Sequence, residues 1–447
     1  MKTFKTTRAI TTFCLFAVTA AHSVIADPAR NVITVTVGEP ATKSQLDLGI
    51  TFNQLSLRET QYPESTASAK SIISRLAHYQ NSFIMGWGAK DPEPSPGVYD
   101  WTSLDRRMAI VRETGGTPVI TLCCAPDWMK GAASTEDYWK RIGVAPLPEH
   151  FRDFAELARQ VALRYPNVKY YQVWSELKGF WNHSEKRWDY EGYTTLYNLV
   201  YDTLKAASPD IKVGGPYTPM QHYGSPGRAL LTTPISGPYG TVIRRVTDAF
   251  QYWLAHNHGA DFVSVDGHIR PNDGTPVDLF ASLQFYTDIN HWIRQQTKLP
   301  IWWAEWYSTP DPANPLPDNL EHARQNALMT ATLVTMAPTV SLALRWGPES
   351  NDKPPYTEGD QDGMWSSTQL AGGGQPLPFA SSVENFEHCF PPGQTLLATH
   401  ASGPGILSMA SPDCVLLINE TAASMSVNVE GKGISLDPFG VIYSPRH

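Results

Sequence analysis

Eight short apolar runs, each followed by a longer stretch with helical spacing, constrain the fold of this 447-residue chain more than any other feature. The predicted strands are Leu46–Phe52, Ser82–Gly88, Thr117–Cys124, Lys169–Trp174, Ile211–Gly215, Phe262–Asp266, Ile301–Ala304 and Ser341–Trp346. Between them, segments such as 150–164, 194–207, 247–256 and 322–336 repeat apolar residues at helical intervals, and DWTSLD at 100–105 opens a helix with capping residues. Strands that alternate with helices build a parallel sheet, and eight of them are the number that closes a (β/α)8 TIM barrel. The α/β class follows, with 45–380 as the predicted barrel.

Outside that span the pattern changes. From about Pro378 the runs Gly405–Met409, Cys414–Ile418, Met425–Val429 and Val441–Tyr443 are short, have period two and are separated by Gly, Pro, Asp or Asn. They predict a C-terminal β-sandwich domain over 381–447. VITVTV near the start alternates in the same way, so 27–44 is expected to add a strand to that sandwich. Residues 1–26 read as a signal peptide: Lys2, Lys5 and Arg8 precede a short apolar stretch, and Val24-Ile25-Ala26 offers a cleavage site. The expected location is outside the cytoplasm after cleavage near Ala26. No stretch is long and apolar enough to predict a membrane span.

Removing that segment leaves four cysteines. In an exported protein Cys389 and Cys414 are a candidate disulfide that would fix the β-rich domain. Cys123 and Cys124 are adjacent on a predicted strand, where side chains point to opposite faces, so buried free thiols are expected there. No Cys or His spacing predicts a metal site, and the acids Asp352, Glu358, Asp360 and Asp362 do not match a calcium loop. No cofactor is expected. The net charge of −8 gives no basic surface for nucleic acid or an anionic membrane.

Two glutamates stand at predicted strand ends on the face where barrel active sites form. Glu176 follows the fourth strand in YYQVWSELKGFW, and Glu305 follows the seventh in PIWWAEWYS. Unpaired glutamates are rarely placed in such apolar surroundings, and a pair of carboxylates is what glycosidic bond cleavage requires. In the retaining form one donates a proton to the departing oxygen while the other, about 5 Å away, attacks the anomeric carbon. The fourteen tryptophans and nineteen tyrosines supply flat rings against which sugar C–H faces pack. A carbohydrate, as poly- or oligosaccharide, is the expected partner.

With PGVYDWTSLD at 96–105, APDWM at 125–129, IKVGGPY at 211–217 and DFVSVDGH at 261–268, these segments resemble glycoside hydrolase clan A, and most resemble family 39. The resemblance implies that Glu176 is the acid/base and Glu305 the nucleophile of a retaining enzyme. It also implies a β-sandwich made from both ends of the chain. Ser175 stands where the clan usually has an asparagine that contacts the sugar 2-hydroxyl, and Asp266-Gly267-His268 stands where the family commonly shows His-x-Tyr. Ser175 and His268 are therefore candidate substrate contacts, His268 in the place of the tyrosine that supports the nucleophile. Trp346, ending the eighth strand, matches the indole that floors the cleaved sugar's subsite. Trp128 and Trp181, just beyond the third and fourth strands, either line the cleft or pack in the core. The alternatives to hydrolysis are an idle carbohydrate-binding protein on the same barrel and a transglycosylase.

Overall fold

In the computed structural model, residues 32–446 are described except 132–136, 228–229, 309–312 and 352–362. The expected signal segment 1–26 and the acids of the 352–362 loop lie outside the described residues.

Eight parallel strands close into a barrel. They are β1 (Asp47–Thr51), β2 (Tyr79–Phe83), β3 (Thr117–Leu122), β4 (Tyr170–Val173), β5 (Lys212–Pro219), β6 (Phe262–Asp266), β7 (Ile301–Trp306) and β8 (Leu342–Trp346). Each pairs with the next, and β8 pairs with β1 through Leu342↔Asp47 to Trp346↔Thr51. Their near-continuous burial is what a parallel sheet covered on both faces demands. Two strands differ most in extent from the sequence expectation. β2 starts at Tyr79 rather than Ser82, and the apolar Ile84-Met85 that suggested a strand is the start of the following loop. β5 runs four residues past Gly215, so Tyr217 lies inside the strand.

The outer helices bury one stripe each. In the helix Phe151–Arg164 the buried positions are Phe151, Phe154, Ala155, Leu157, Ala158, Val161 and Ala162, the i, i+3, i+4 rows that face the barrel. The helix Tyr190–Ala207 is fixed at its start by the Asp189 carboxylate, which accepts from the Gly192 amide at 2.9 Å. The segment Pro378–Cys389 is a helix that packs on the helices Pro63–Leu76 and Asp318–Met336, so residue 381 falls inside the last barrel helix.

The remaining chain forms a seven-stranded sheet in the order Lys432–Leu436, Met425–Val429, Ile33–Lys43, Thr395–Ala401, Ile406–Ala410, Cys414–Asn419, Val441–Pro445. The N-terminal strand runs parallel to Met425–Val429 and antiparallel to Thr395–Ala401. The two outermost strands meet, Lys432 Nζ donating to Ser444 Oγ at 3.2 Å, so the sheet curls over its own core of Val35, Val415, Leu417, Val427 and Leu436. It docks on the barrel through the Tyr443 hydroxyl, which donates to the Ser382 carbonyl at 2.9 Å.

Cys389 and Cys414 are disulfide-bonded with Cα atoms 5.6 Å apart, joining the last barrel helix to the sheet. Cys123 and Cys124 are also bonded to each other, which corrects the expectation of free thiols. The physical reason is that β3 ends at Leu122, so the side-to-side alternation of a strand does not apply to the two cysteines that follow it.

Candidate active site

The turn after β4 carries Glu176. Its backbone is held by Trp174, whose indole donates to the Lys178 carbonyl at 2.8 Å, and by the Lys178 amide donating to the Ser175 carbonyl at 3.0 Å. Trp174, Glu176 and Leu177 have φ of 71°, 51° and 53°, left-handed values that cost a non-glycine residue about 1–3 kcal/mol and persist only where the surroundings enforce them. Gly179 closes the turn at φ 76°, where a Cβ would fall 2.1 Å from the Ala145 nitrogen. Such concentrated strain marks a segment shaped for a site rather than for its own stability.

Glu305 enters from β7. Tyr217, at the end of β5 and also left-handed at φ 54°, connects the two glutamates. Its carbonyl accepts from the Glu176 amide at 3.0 Å, and its hydroxyl donates to Glu305 Oε2 at 3.2 Å. One buried tyrosine therefore spans the distance between the acid-bearing turn and the second carboxylate.

Around this pair the site is rich in charge. Asp266, the last residue of β6, is the cross-strand neighbour of Glu305 and is buried. Lys178 Nζ pairs with Glu176 and stands 5.2 Å from the Trp87 ring centre. Burial pushes the Glu305 carboxyl above its ordinary value, against the opposing effects of the Lys178 ammonium, the Tyr217 hydrogen bond and Arg345. Burial, then the charge of Glu305, holds Asp266 well above the usual carboxylate range. A cavity of about 190 Å³ opens here, lined by Glu176, Asp266 and His268 together with Gln221, Asn272 and Tyr307. A wider cleft of about 460 Å³ lies between Phe280 and the sheet domain's Phe439. Size favours the cleft, but Glu176 lines the smaller cavity, which makes that cavity the candidate site.

The other expected site residues are placed unequally. His268 lines the cavity with its ring 5.5 Å from Tyr307, and its carbonyl faces His222 Nε2 at 2.8 Å. Burial, then the neighbouring His222 and Arg270, pushes its imidazole down to about 4, so it is neutral at neutral pH. The hydroxyl that supports Glu305 comes from Tyr217, not from the β6 segment. Ser175 is buried beside that phenol and is absent from the cavity lining. Trp346 stands edge-on to Trp87, 6.1 Å between ring centres, on the flank where Lys178 meets Glu176. Trp181 pairs with Trp188 under the Arg245 guanidinium, which donates to Gln221 of the cavity wall. Trp128 donates to the Glu93 carbonyl at 2.9 Å and packs against His150, apart from the cavity lining. Among the described residues no cluster of His, Cys, Asp and Glu has the grouping of a metal site, and no helix is long and apolar enough to cross a membrane.

Glu176 after β4 lines this polar cavity, while Glu305 of β7 is absent from its lining and joins the site through the Tyr217 hydroxyl; two carboxylates at the ends of these strands of a closed barrel are the arrangement of a glycoside hydrolase. Residues 85–343 match the model of glycosyl hydrolases family 39, more than half of the chain, and the chain belongs to that family. No curated protein matches it by sequence. Among solved structures, a monomeric β-xylosidase from Caulobacter crescentus CB15 is 16% identical over 93% of this chain and 97% of its own, with a TM-score of 0.58. A GH39 enzyme from Xanthomonas axonopodis pv. citri is 18% identical over 88% and 75%, at 0.54. SrfJ from Salmonella typhimurium is 11% identical over 93% of each chain, at 0.59. At these identities the likeness is one of fold.

Proposed function

We propose that this chain is an exported, retaining glycoside hydrolase that cleaves a poly- or oligosaccharide through a covalent glycosyl-enzyme. The observation that carries the reading is the Tyr217 connection, in which the backbone carbonyl of one residue holds the Glu176 amide and its side-chain hydroxyl meets the Glu305 carboxylate. Glu305 attacks the anomeric carbon as Glu176 gives its proton to the leaving oxygen. Water then attacks the same carbon, Glu176 takes the proton and Glu305 departs. Trp346 and Trp87 supply the apolar ring faces of the sugar subsite, while His268, Gln221 and Asn272 supply its polar contacts. Export is supported by residues 1–26 and by two disulfides, which persist in oxidising compartments.

The test begins with 4-nitrophenyl β-xyloside, because a structural neighbour is a β-xylosidase, followed by other aryl glycosides and polysaccharides. The matching 2-deoxy-2-fluoro glycoside should leave its mass on the Glu305 peptide. Glu305→Gln should remain folded and lose turnover on every accepted substrate. Turnover retained by that variant, or a product of inverted anomeric configuration, would remove the assignment.

A further inference from the structure

Lys178 lies two residues after Glu176, in the strained turn that Gly179 closes. Its ammonium pairs with Glu176 from the side of Trp87; burial pushes it below the ordinary lysine value, and the charges of Glu305 and Asp266 oppose that shift and favour the cation. The groups facing this cluster come from four further strands or their loops. They are Tyr217 of β5, Asp266 of β6 and His268 after it, Glu305 of β7 and Tyr307 after it, and Arg345 of β8. Burial first, then Glu305, keeps the Tyr217 and Tyr307 phenols protonated, and burial keeps His268 uncharged near neutral pH. Burial and then Glu305 likewise push Asp266 toward its neutral form. The charges that move during turnover are therefore those of Glu176 and Glu305.

Double displacement, the reading on which this inference rests, shifts one negative charge between those two residues. As the Glu305 oxygen bonds to the anomeric carbon, the bond to the leaving oxygen breaks and the Glu176 proton goes to that oxygen. The charge disappears from Glu305 and reappears on Glu176. When water attacks, its proton goes to Glu176, the ester bond to Glu305 breaks, and the charge returns. A cation paired with Glu176, whose charge also acts on Glu305, stabilises both states without rearranging, the condition under which a preorganised charge contributes most.

We propose that Lys178 is a positioning residue, the shared counter-ion that stays with the negative charge as it passes from Glu305 to Glu176 and back. It favours the ionised form of each glutamate. Removing it should leave Glu305 protonated at pH values where it is now ionised, and Glu176 protonated where it is now a base. Both limbs of the pH–rate profile should then move to higher pH.

The test uses the full chain, and its first step is trapping with the 2-deoxy-2-fluoro glycoside of whichever sugar is turned over. No adduct on wild-type Glu305 would overturn double displacement and this inference with it. With the adduct in place, Lys178→Gln and Lys178→Arg are compared by pH profile on the 4-nitrophenyl glycoside and by kcat on the 2,4-dinitrophenyl glycoside. The dinitrophenolate leaves without a proton and so exposes the second step. The expected result is that Gln moves both limbs upward and lowers kcat on the dinitrophenyl substrate by about tenfold, while Arg restores the wild-type limbs. Unmoved limbs in Gln, or the same loss in Gln and Arg, would overturn the proposal while leaving the nucleophile assignment intact. Should Gln fail to fold, Lys178→Met, which keeps the side-chain volume, is read against Arg in the same way.

Discussion

The Tyr217 hydroxyl offers the sharpest perturbation, because Tyr217→Phe removes one oxygen from a fully buried ring and leaves the backbone bond to Glu176 in place. The hydroxyl has two acceptors within reach, Glu305 Oε2 at 3.2 Å and the Ala304 carbonyl at 3.5 Å. The nearer one is charged and takes the proton. A hydrogen bond to a charged group is worth about 1.5–3 kcal/mol. At 3.2 Å the contact is longer than the usual O–H···O range, which places it at the lower end. About 1.5 kcal/mol corresponds to a drop in kcat/KM of about tenfold. The hydroxyl also favours the ionised form of Glu305, so its loss should raise that carboxyl further and carry the acid limb of the profile upward. The alkaline limb should stay where it is, unlike the Lys178 variants, and the melting temperature should change little. The assay is kcat/KM against pH for both proteins on the same aryl glycoside. A variant within about twofold of wild type across the profile would refute the view that Tyr217 sets the state of the nucleophile.

Three further outcomes are expected. As the proposed nucleophile Glu305 must be ionised, and burial raises its pKa, so the wild-type acid limb should lie above the ordinary glutamate value of 4.5; a limb at or below that value would contradict the proposal. The Glu349 carboxylate accepts from the amides of Leu57 and Thr368, the Thr368 hydroxyl and the Trp365 indole, so it ties the loop after β8 to the loop after β1. Glu349→Ala leaves these buried donors unanswered and should cost roughly 3–5 kcal/mol, read as a lowered denaturation midpoint. The double variant Cys389→Ala, Cys414→Ala opens a loop of sequence separation 25 and should lose about 3 kcal/mol, measured by calorimetry beside the reduced wild type.

The barrel was legible because most of its strands are rich in apolar residues and its helices are amphipathic, two periods that are hard to confuse over such lengths, whereas β2, with Gln80, Asn81 and Ser82 at its centre, was misplaced. Glu176 and Glu305 were legible because a lone acid ending an apolar strand is improbable without a purpose. Tyr217 was not singled out, although it ends the segment IKVGGPY. The double glycine and the proline read as the end of a strand, whereas the strand continues through them and brings the phenol to Glu305. Gly214 can lie in that strand because the Phe262 ring fills the place of its side chain, a Cβ falling 2.2 Å from the ring. Lys178 was passed over for a different reason. A lysine two residues beyond a carboxylate on a regular strand would share its face at a distance, and only the left-handed backbone at Glu176 and Leu177 folds the ammonium back onto it. The bond between Cys123 and Cys124 was hidden by the same assumption of regular extended backbone.

The placement of Ile33–Lys43 in the interior of the seven-stranded sheet has a consequence for how the molecule is made. Its neighbours on the two sides begin at Thr395 and Met425. The strand that emerges first must wait, both edges open, while the barrel forms around nothing it can pair with. The sheet closes only when the final residues arrive, a long-range pairing of the kind that forms slowly. Clipping the first dozen residues of the folded part would split this sheet through its middle instead of trimming a border. A chain cut short before Thr395 leaves Ile33–Lys43 with both edges unpaired, an exposed template on which a second chain could pair.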